Sequence, residues 1–180
     1  MTRSSRDRVG TPLTAQPGNS VEYLAGQAYP IASMARWILS TIVDTYATND
    51  TATALPETQF TTIGTVAVDG PLLCVMYGGV TVGPPGVPLV RPYRWDSDPR
   101  SAAFNVELWR PFPAVGPQGL PPSSEAVQKA AEITMQDSWL LLESAYKADQ
   151  LGVGVIASVA VNSPQGEMVG INMTLELQVA

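Results

Sequence analysis

The amino-acid sequence predicts an α+β fold: a largely antiparallel β-sheet with two helices, in the order α-β-β-β-α-β-β, behind an extended N-terminal arm. Three observations predict it. Two segments carry apolar residues at helical spacing, five others have the composition or the alternation of strands, and Gly, Pro and Asn separate them. The length of 180 residues suits one domain, which we place at residues 31–180, with the arm at residues 1–30.

The first helix is predicted at residues 31–48. Ile31, Met34, Ile38 and Ile42 recur at helical spacing. Pro30 suits the first turn of a helix, and the pair Asn49-Asp50 suits its end. The preceding 30 residues have neither a helical nor a strand period, which is typical of an extended segment.

Three strands are predicted next. Residues 60–69 and 72–82 are rich in Val, Ile and Thr, and only Gly70 and Pro71 separate them, which favours a hairpin. Gly78 and Gly79 indicate a bulge midway along the second strand. The third strand covers residues 102–109, with apolar side chains at every second position.

The second helix is predicted to begin after Ser123, a good N-cap, and to run to about Gln150, before Leu151-Gly152. Its apolar residues cover more than one stripe, so we expect it to contact a second partner besides the sheet. Two strands follow, at 153–161 and 168–179, joined by a turn at 162–166. The last strand alternates apolar and polar residues without interruption.

Composition excludes several classes of function. The chain has no His and one Cys, which excludes His-dependent catalysis and an internal disulfide framework, and removes the usual ligands of zinc. A net charge of −6 has the wrong sign for gripping a phosphate backbone. No signal peptide and no apolar run of membrane-spanning length is present, so we expect a soluble, cytoplasmically assembled protein without membrane contact.

Three sequence features were weighed as chemical sites. Ser144-Ala-Tyr-Lys147 matches Ser-x-x-Lys, but the companion motifs of penicillin-binding enzymes are missing, which favours an ordinary helical pair. Asp96 and Asp98 offer hard oxygens to a cation, but Arg94 and Arg100 beside them favour loop salt bridges. Cys74 lies in an apolar run and is interpreted as a core residue. No catalytic, metal or cofactor-binding residue is predicted.

The candidate site is therefore a protein interface. Two proline-rich loops, 83–100 and 111–122, are longer than usual connections, and long loops in compact domains are commonly functional. Aromatic residues and arginines are favoured at interfaces. Trp95 lies in a polar loop, and Trp109 lies on the strand face that should be the wetter one. For both, packing beneath the loops and anchoring of an interface are the two interpretations. The predicted interface residues are Arg91, Arg94, Trp95, Arg100 and Trp109.

The element order, the two loops and the absence of catalytic apparatus resemble the tail terminator proteins of long-tailed bacteriophages, in particular those of actinobacteriophages. Segments that carry the resemblance are 21–50, 64–82, the stretch Ser101-Ala-Ala-Phe-Asn-Val-Glu-Leu-Trp-Arg-Pro-Phe-Pro113, and 123–180. The resemblance implies a structural virion protein without enzymatic activity. It implies a homohexameric ring that caps the tail tube, stops its polymerisation and joins the tail to the neck, while genomic DNA passes through the lumen unbound.

The sequence is also compatible with two alternatives. One is another head–tail connector or neck protein, of the head-closure type, in the same particle. The other is a small-ligand-binding or enzymatic domain that uses Asp96 and Asp98. The arm carries Arg3, Arg6 and Arg8, and on the terminator reading we expect it outside the ring, against an acidic neighbouring subunit.

Overall fold

A computed structural model describes residues 31–64, 66–87, 100–116, 119–150 and 156–179. The arm at 1–30, the helix stop at Leu151-Gly152 and the predicted strand residues 153–155 lie outside these ranges. The elements follow the predicted order and are α1 (Ile31–Ala47), β1 (Gln59–Ile63), β2 (Leu72–Val82), β3 (Arg100–Pro111), α2 (Ser124–Gln150), β4 (Ile156–Val161) and β5 (Met168–Val179). The α+β class predicted from the sequence is confirmed.

The five strands form one sheet in the order β1-β2-β3-β5-β4. Three of the four strand pairs are antiparallel, and β1 with β2 is parallel. β3 and β5 form the centre of the sheet and pair along their whole length, from Arg100 opposite Val179 to Pro111 opposite Met168. The long unbroken alternation of β5 produces this register, because a slip of one residue would turn its apolar side chains out of the core.

Both helices lie on the same face of the sheet. The inward residues of β3 and β5 alternate along each strand, and those of β5 from Ile171 to Leu177 are at most 1% exposed. Ile38 and Ile42 of α1 and Leu140 and Leu141 of α2 complete the core between helices and sheet. The predicted alternation in β3 and β5 therefore separates two faces of the sheet. One is the core face, which packs against the helices, and the other is the opposite face, which we call the open face.

The predicted hairpin between residues 60–69 and 72–82 is wrong. The first strand ends at Ile63, and β1 runs parallel to β2 with Gln59 opposite Leu73. Parallel neighbours require a crossover, so the chain must return across the sheet before β2 begins. Gly64, at φ +79°, precedes this return. Val66 and Val68 pack on the open face of the sheet, and that burial offsets the lost hairpin turn.

Two local signals were correct. The register of β2 against β3 shifts between Tyr77 and Gly79, at the predicted bulge, and Gly79 has a φ of +138°. Such a φ is open to glycine but strained for other residues. Ser123 caps α2, because its Oγ accepts a hydrogen bond from the backbone N–H of Ala126 at 3.2 Å.

The open face carries a second, smaller apolar cluster. It consists of Leu72, Cys74, Met76 and Trp109, all at most 5% exposed. Trp109 lies directly against Gly170 of β5. Trp109 lies on the open face, as its alternation with Glu107 predicts, but it is buried there because the returning segment with Val66 and Val68 covers this part of the sheet.

Candidate functional site

Of the five predicted interface residues, the described chain contains two. Arg91, Arg94 and Trp95 lie outside the described residues, as do Asp96 and Asp98. Arg100 begins β3 and is half-buried. Trp109 is 5% exposed, and its indole Nε1 donates to Oε2 of Glu107 at 3.0 Å. Trp109 therefore packs within the domain, and the structure does not bring it to a surface beside Arg100, which lies nine residues away along β3.

The most polar cluster of the interior is a buried ion pair that joins α2 to the sheet. Nε of Arg110 lies 2.7 Å from Oδ2 of Asp137, and Nη2 lies 2.9 Å from Oδ1. The Asp137 side chain is 0% exposed and that of Arg110 is 10% exposed. Two parallel N–H···O bonds between a guanidinium and a carboxylate are the strongest common geometry of such a pair.

The remaining donors and acceptors of the pair are also used. Tyr46 of α1 donates its hydroxyl to Oδ1 of Asp137 at 2.9 Å. Arg110 donates further to the carbonyl oxygens of Ala54 and Thr53. Burial raises the pKa of the Tyr46 phenol well above its usual range, and the neighbouring Asp137 carboxylate raises it further. A neutral phenol and a fully bonded ion pair leave no group free for acid–base chemistry, so the cluster is structural.

The sequence contains a signal for this pair, which the predicted interface residues do not include. Arg110 is the next even-numbered residue after Phe104, Val106 and Leu108, so the alternation of β3 places it on the core face. An arginine at such a position needs a buried anion. Asp137 lies three and four residues before Leu140 and Leu141 of α2, which places it on the same helix face.

The described part of the chain contains a small void between α1, α2 and the sheet, with a volume of about 10 Å³. This is the space of one water molecule at most, and its lining is almost entirely apolar. Residues that line it include Ile38, Ile42, Ala145, Met173 and Leu175.

The Ser-x-x-Lys motif is not a reactive pair. Ser144 is 3% exposed, and its Oγ donates to the carbonyl of Leu140 at 2.8 Å within α2. Nζ of Lys147 lies 3.1 Å from Oε1 of Glu143 and 3.2 Å from Oγ1 of Thr45. Each side chain has its own partners, so the lysine is not placed to activate the serine.

The described ranges of the chain also contain neither a metal-binding cluster nor a membrane-spanning helix. No three His, Cys, Asp or Glu residues there come together as metal ligands. Neither α1 nor the described α2 is long and apolar enough to cross a membrane. Cys74 is fully buried, and burial raises the pKa of its thiol to about 11, which disfavours the reactive thiolate.

The surface feature that stands out is a row of apolar side chains on the solvent side of α2. We call it the outer stripe. Its members are all at least 41% exposed although large and apolar: Met135 (64%), Trp139 (67%), Leu142 (41%) and Tyr146 (60%). They recur at intervals of four, three and four residues, which aligns them along one helix face. Contiguous exposed apolar surface of this kind marks contact with another macromolecule more often than it marks chemistry.

Comparison with known proteins adds no family. No protein-family model matches the chain, and no curated protein matches it. The candidate functional site is therefore defined by the geometry alone, and it is the outer stripe of α2.

Proposed function

We propose that this protein is a structural component of a bacteriophage virion, a tail terminator that forms a ring on the end of the tail tube. The observation that carries the proposal is exposed apolar surface at two different edges of the sheet, where Ile63 of β1 is 80% and Val161 of β4 is 53% exposed, because a ring joins two different surfaces of neighbouring chains. The satisfied ion pair and the minute cavity between helices and sheet agree with a structural role. The choice of a tail terminator among structural proteins rests on the resemblance in element order.

The proposed partners follow from that class. The chain associates with itself as a homohexameric ring, contacts the major tail tube protein on one side and a head-closure or connector protein on the other, and is assembled in the host cytoplasm into the virion. The net charge of −6 supports a lumen through which DNA passes without binding, because acidic surface repels phosphate.

The ring also offers the exposed edges of the sheet a partner. Among the described residues, β1 and β4 are the outermost strands, and each has one edge that no other described strand pairs with. Ile63, at the end of β1, is 80% exposed and Val161, at the end of β4, is 53% exposed. Apolar residues on an unpaired edge favour pairing with another chain, which a closed ring would satisfy.

Electron microscopy tests the proposal. The purified protein is added to tubes assembled from the major tail tube protein, with tubes alone as the control. We expect rings of one diameter at tube ends and an end to tube growth. Light scattering should find that the ring has six times the 19.1 kDa mass of one chain. Only single chains in the presence of tube ends would contradict the ring.

The alternative is a different neck protein of the same particle, of the head-closure or connector type. The same micrographs separate the two. A terminator binds tube ends, whereas a head-closure protein binds the portal vertex of filled capsids and leaves tube length unregulated.

A further inference from the structure

The outer stripe lies on the side of α2 opposite its core contacts. Leu140, Leu141 and Ser144 face the core and are at most 3% exposed, whereas Trp139 and Tyr146 are 67% and 60% exposed. A turn of 3.6 residues places these two groups about half a turn apart around the helix. The outer stripe is therefore a second apolar face of α2 and not the edge of its core-facing side.

The spacing of the stripe has a centre of symmetry. Positions 135 and 146 are equally far from the midpoint of the stripe, and so are positions 139 and 142. When two such helices lie antiparallel, Met135 meets Tyr146 of the second copy and Trp139 meets Leu142. Contact residues of two packed helices also recur at alternating intervals of three and four residues, as the members of the stripe do.

Residue size decides between the antiparallel and the parallel arrangement. In the antiparallel pair every layer combines one aromatic with one aliphatic side chain, so the layers have similar volumes. In a parallel pair Trp139 would face itself in one layer and Leu142 itself in the next, which gives layers of unequal volume. The antiparallel layers also place the Met135 sulfur against the Tyr146 ring, a favourable contact, and oppose the helix dipoles.

Charge agrees with a contact between copies. Between Glu132 and Glu143, the charged residue of α2 is Asp137, which is buried against Arg110. The middle of the stripe therefore has no charge to desolvate, as is typical of interface centres. Glu143 is paired with Lys147 within its own helix, so it needs no partner from the second copy.

The area also suits a second copy. The exposed parts of the four stripe side chains amount to roughly 500 Å² per copy, since a large aromatic side chain alone covers 150–250 Å². Two copies would bury roughly 1,000 Å², near the lower bound of specific interfaces. A contact of this size is reversible and depends on protein concentration.

We propose that the free protein is a two-fold dimer held by antiparallel pairing of α2 through the outer stripe. The inference does not rest on the proposed ring. A cyclic ring needs head-to-tail contacts between two different surfaces, whereas this contact joins a surface to itself and closes after two copies. The dimer forms when the protein is not bound to tube ends. Within rings, the same contact would join one ring to another.

Sedimentation and light scattering of the full chain test the dimer. We expect a mass twice the 19.1 kDa of one chain at high concentration, falling towards one chain on dilution. Trp139→Glu should raise the dissociation constant about tenfold or more, because it buries a charge at the interface centre. Met135→Lys should do the same. The matched control is Ala32→Glu, the same charge change at an exposed position of α1.

Because both stripe positions are solvent-exposed, circular dichroism should find the folded domain unchanged in these variants. A wild-type chain that stays a single copy at every concentration would overturn the proposal. So would a single copy whose stripe is covered by its own residues 1–30. In that case deleting those residues would create the dimer.

Disulfide trapping tests the orientation. Met135→Cys and Tyr146→Cys proteins are prepared separately and then mixed under mild oxidation. We expect cross-linked pairs in the mixture and few in either protein alone, since each new cysteine faces the other position. Efficient cross-linking of Met135→Cys with itself would mean parallel helices and would overturn the antiparallel pair. Cys74, 0% exposed, contributes no background.

Discussion

At the scale of single residues, the Arg110–Asp137 pair ties three parts of the fold together. Asp137 belongs to α2, Arg110 to β3, and the guanidinium also binds the carbonyls of Thr53 and Ala54 in the segment that follows α1. Removing two charges from water is expensive, and the pair offsets this cost only while both partners and their hydrogen bonds are present. The pair is thus sensitive to loss of either member.

Asp137→Ala is expected to lower the free energy of unfolding by about 3–5 kcal/mol, because it leaves the Arg110 charge buried without a partner. The control is Glu143→Ala, which breaks the ion pair with Lys147, a pair whose side chains are 41% (Lys147) and 37% (Glu143) exposed. We expect that control to cost no more than about 1 kcal/mol. Urea denaturation of both variants measures the difference. Equal losses would contradict a structural role for the buried pair.

Cys74 makes the stability of the domain sensitive to alkali. Burial foremost, and then the Glu107 carboxylate, raise the pKa of the Cys74 thiol from 9.0 to about 11 in the folded protein. Below pH 9 the thiol is neutral in both states and stability does not change. Between pH 9 and pH 11 the unfolded thiol ionises while the folded one keeps its proton. Stability therefore falls as pH rises through this window, by about 2–3 kcal/mol in total.

Comparison with Cys74→Ala isolates this effect. The variant lacks the thiol, so its unfolding free energy should fall less between pH 8 and pH 11 than that of the wild type. All other titratable groups are the same in both proteins, so their contributions cancel in the difference. Urea denaturation across the pH range gives both curves. Parallel curves would contradict the assigned shift.

At the scale of elements, β3 and β5 approach closely where Trp109 faces Gly170. A Cβ added at Gly170 would lie 2.8 Å from Cη2 of Trp109 and 2.9 Å from two further ring carbons. Real Cβ atoms do not come this close to a ring, so the indole occupies the space that a side chain would need. The glycine is required here by contact and not by its backbone conformation.

Gly170→Ala should therefore lower the free energy of unfolding by about 1–3 kcal/mol, since the indole must move out of the buried cluster. Gly116→Ala is the control. There the nearest neighbour of the added Cβ is the carbonyl oxygen of Leu120 at 3.7 Å, an ordinary contact. Both changes stiffen the unfolded chain equally. Thermal unfolding compares the two, and a melting temperature of Gly170→Ala at or above that of the control would refute the close contact.

Long segments with a regular hydrophobic periodicity were predictable from the sequence. The alternation of residues 168–179 and the helical spacing of residues 31–48 depend on nearest neighbours along the chain and on which side is buried. The direction of β1 was not predictable in the same way. Gly70-Pro71 is a sound turn signal, but burial of Val66 and Val68 over Leu72, Cys74 and Met76 is a contact across the sheet that the local sequence does not display.

At the scale of the whole molecule, the proline-rich loop that ends at Arg100 is the predicted contact with tube or neck. Replacing Arg94 and Trp95 by Ala should leave the melting temperature nearly unchanged and lower the yield of infectious particles, because arginine and tryptophan dominate interface energies. Phage titre and tail length in micrographs measure the result. Normal yield with tails of normal length would remove this loop from the interface.

The N-terminal arm gives the other prediction at this scale. Residues 1–10 contain three arginines and one aspartate, opposite in sign to the acidic remainder of the chain. Deleting residues 1–20 should preserve the domain and weaken its docking in the particle, because the arginines of the arm are expected to contact an acidic neighbouring subunit. Circular dichroism checks the domain, and co-sedimentation with tail tubes checks docking. Undiminished docking would contradict the prediction.

The sequence by itself determined the class of fold, the order of the elements, the core face of β3 and β5 and the excess of apolar surface on the second helix. These depend on composition and on periods of 2 and 3.6 residues, which are local properties. Tertiary structure decided that Trp109 packs against Gly170, that Arg110 pairs with Asp137 across 27 residues, and that the excess on α2 gathers into one outward row. Each depends on which distant segments meet, and only the assembled sheet and helices fix that.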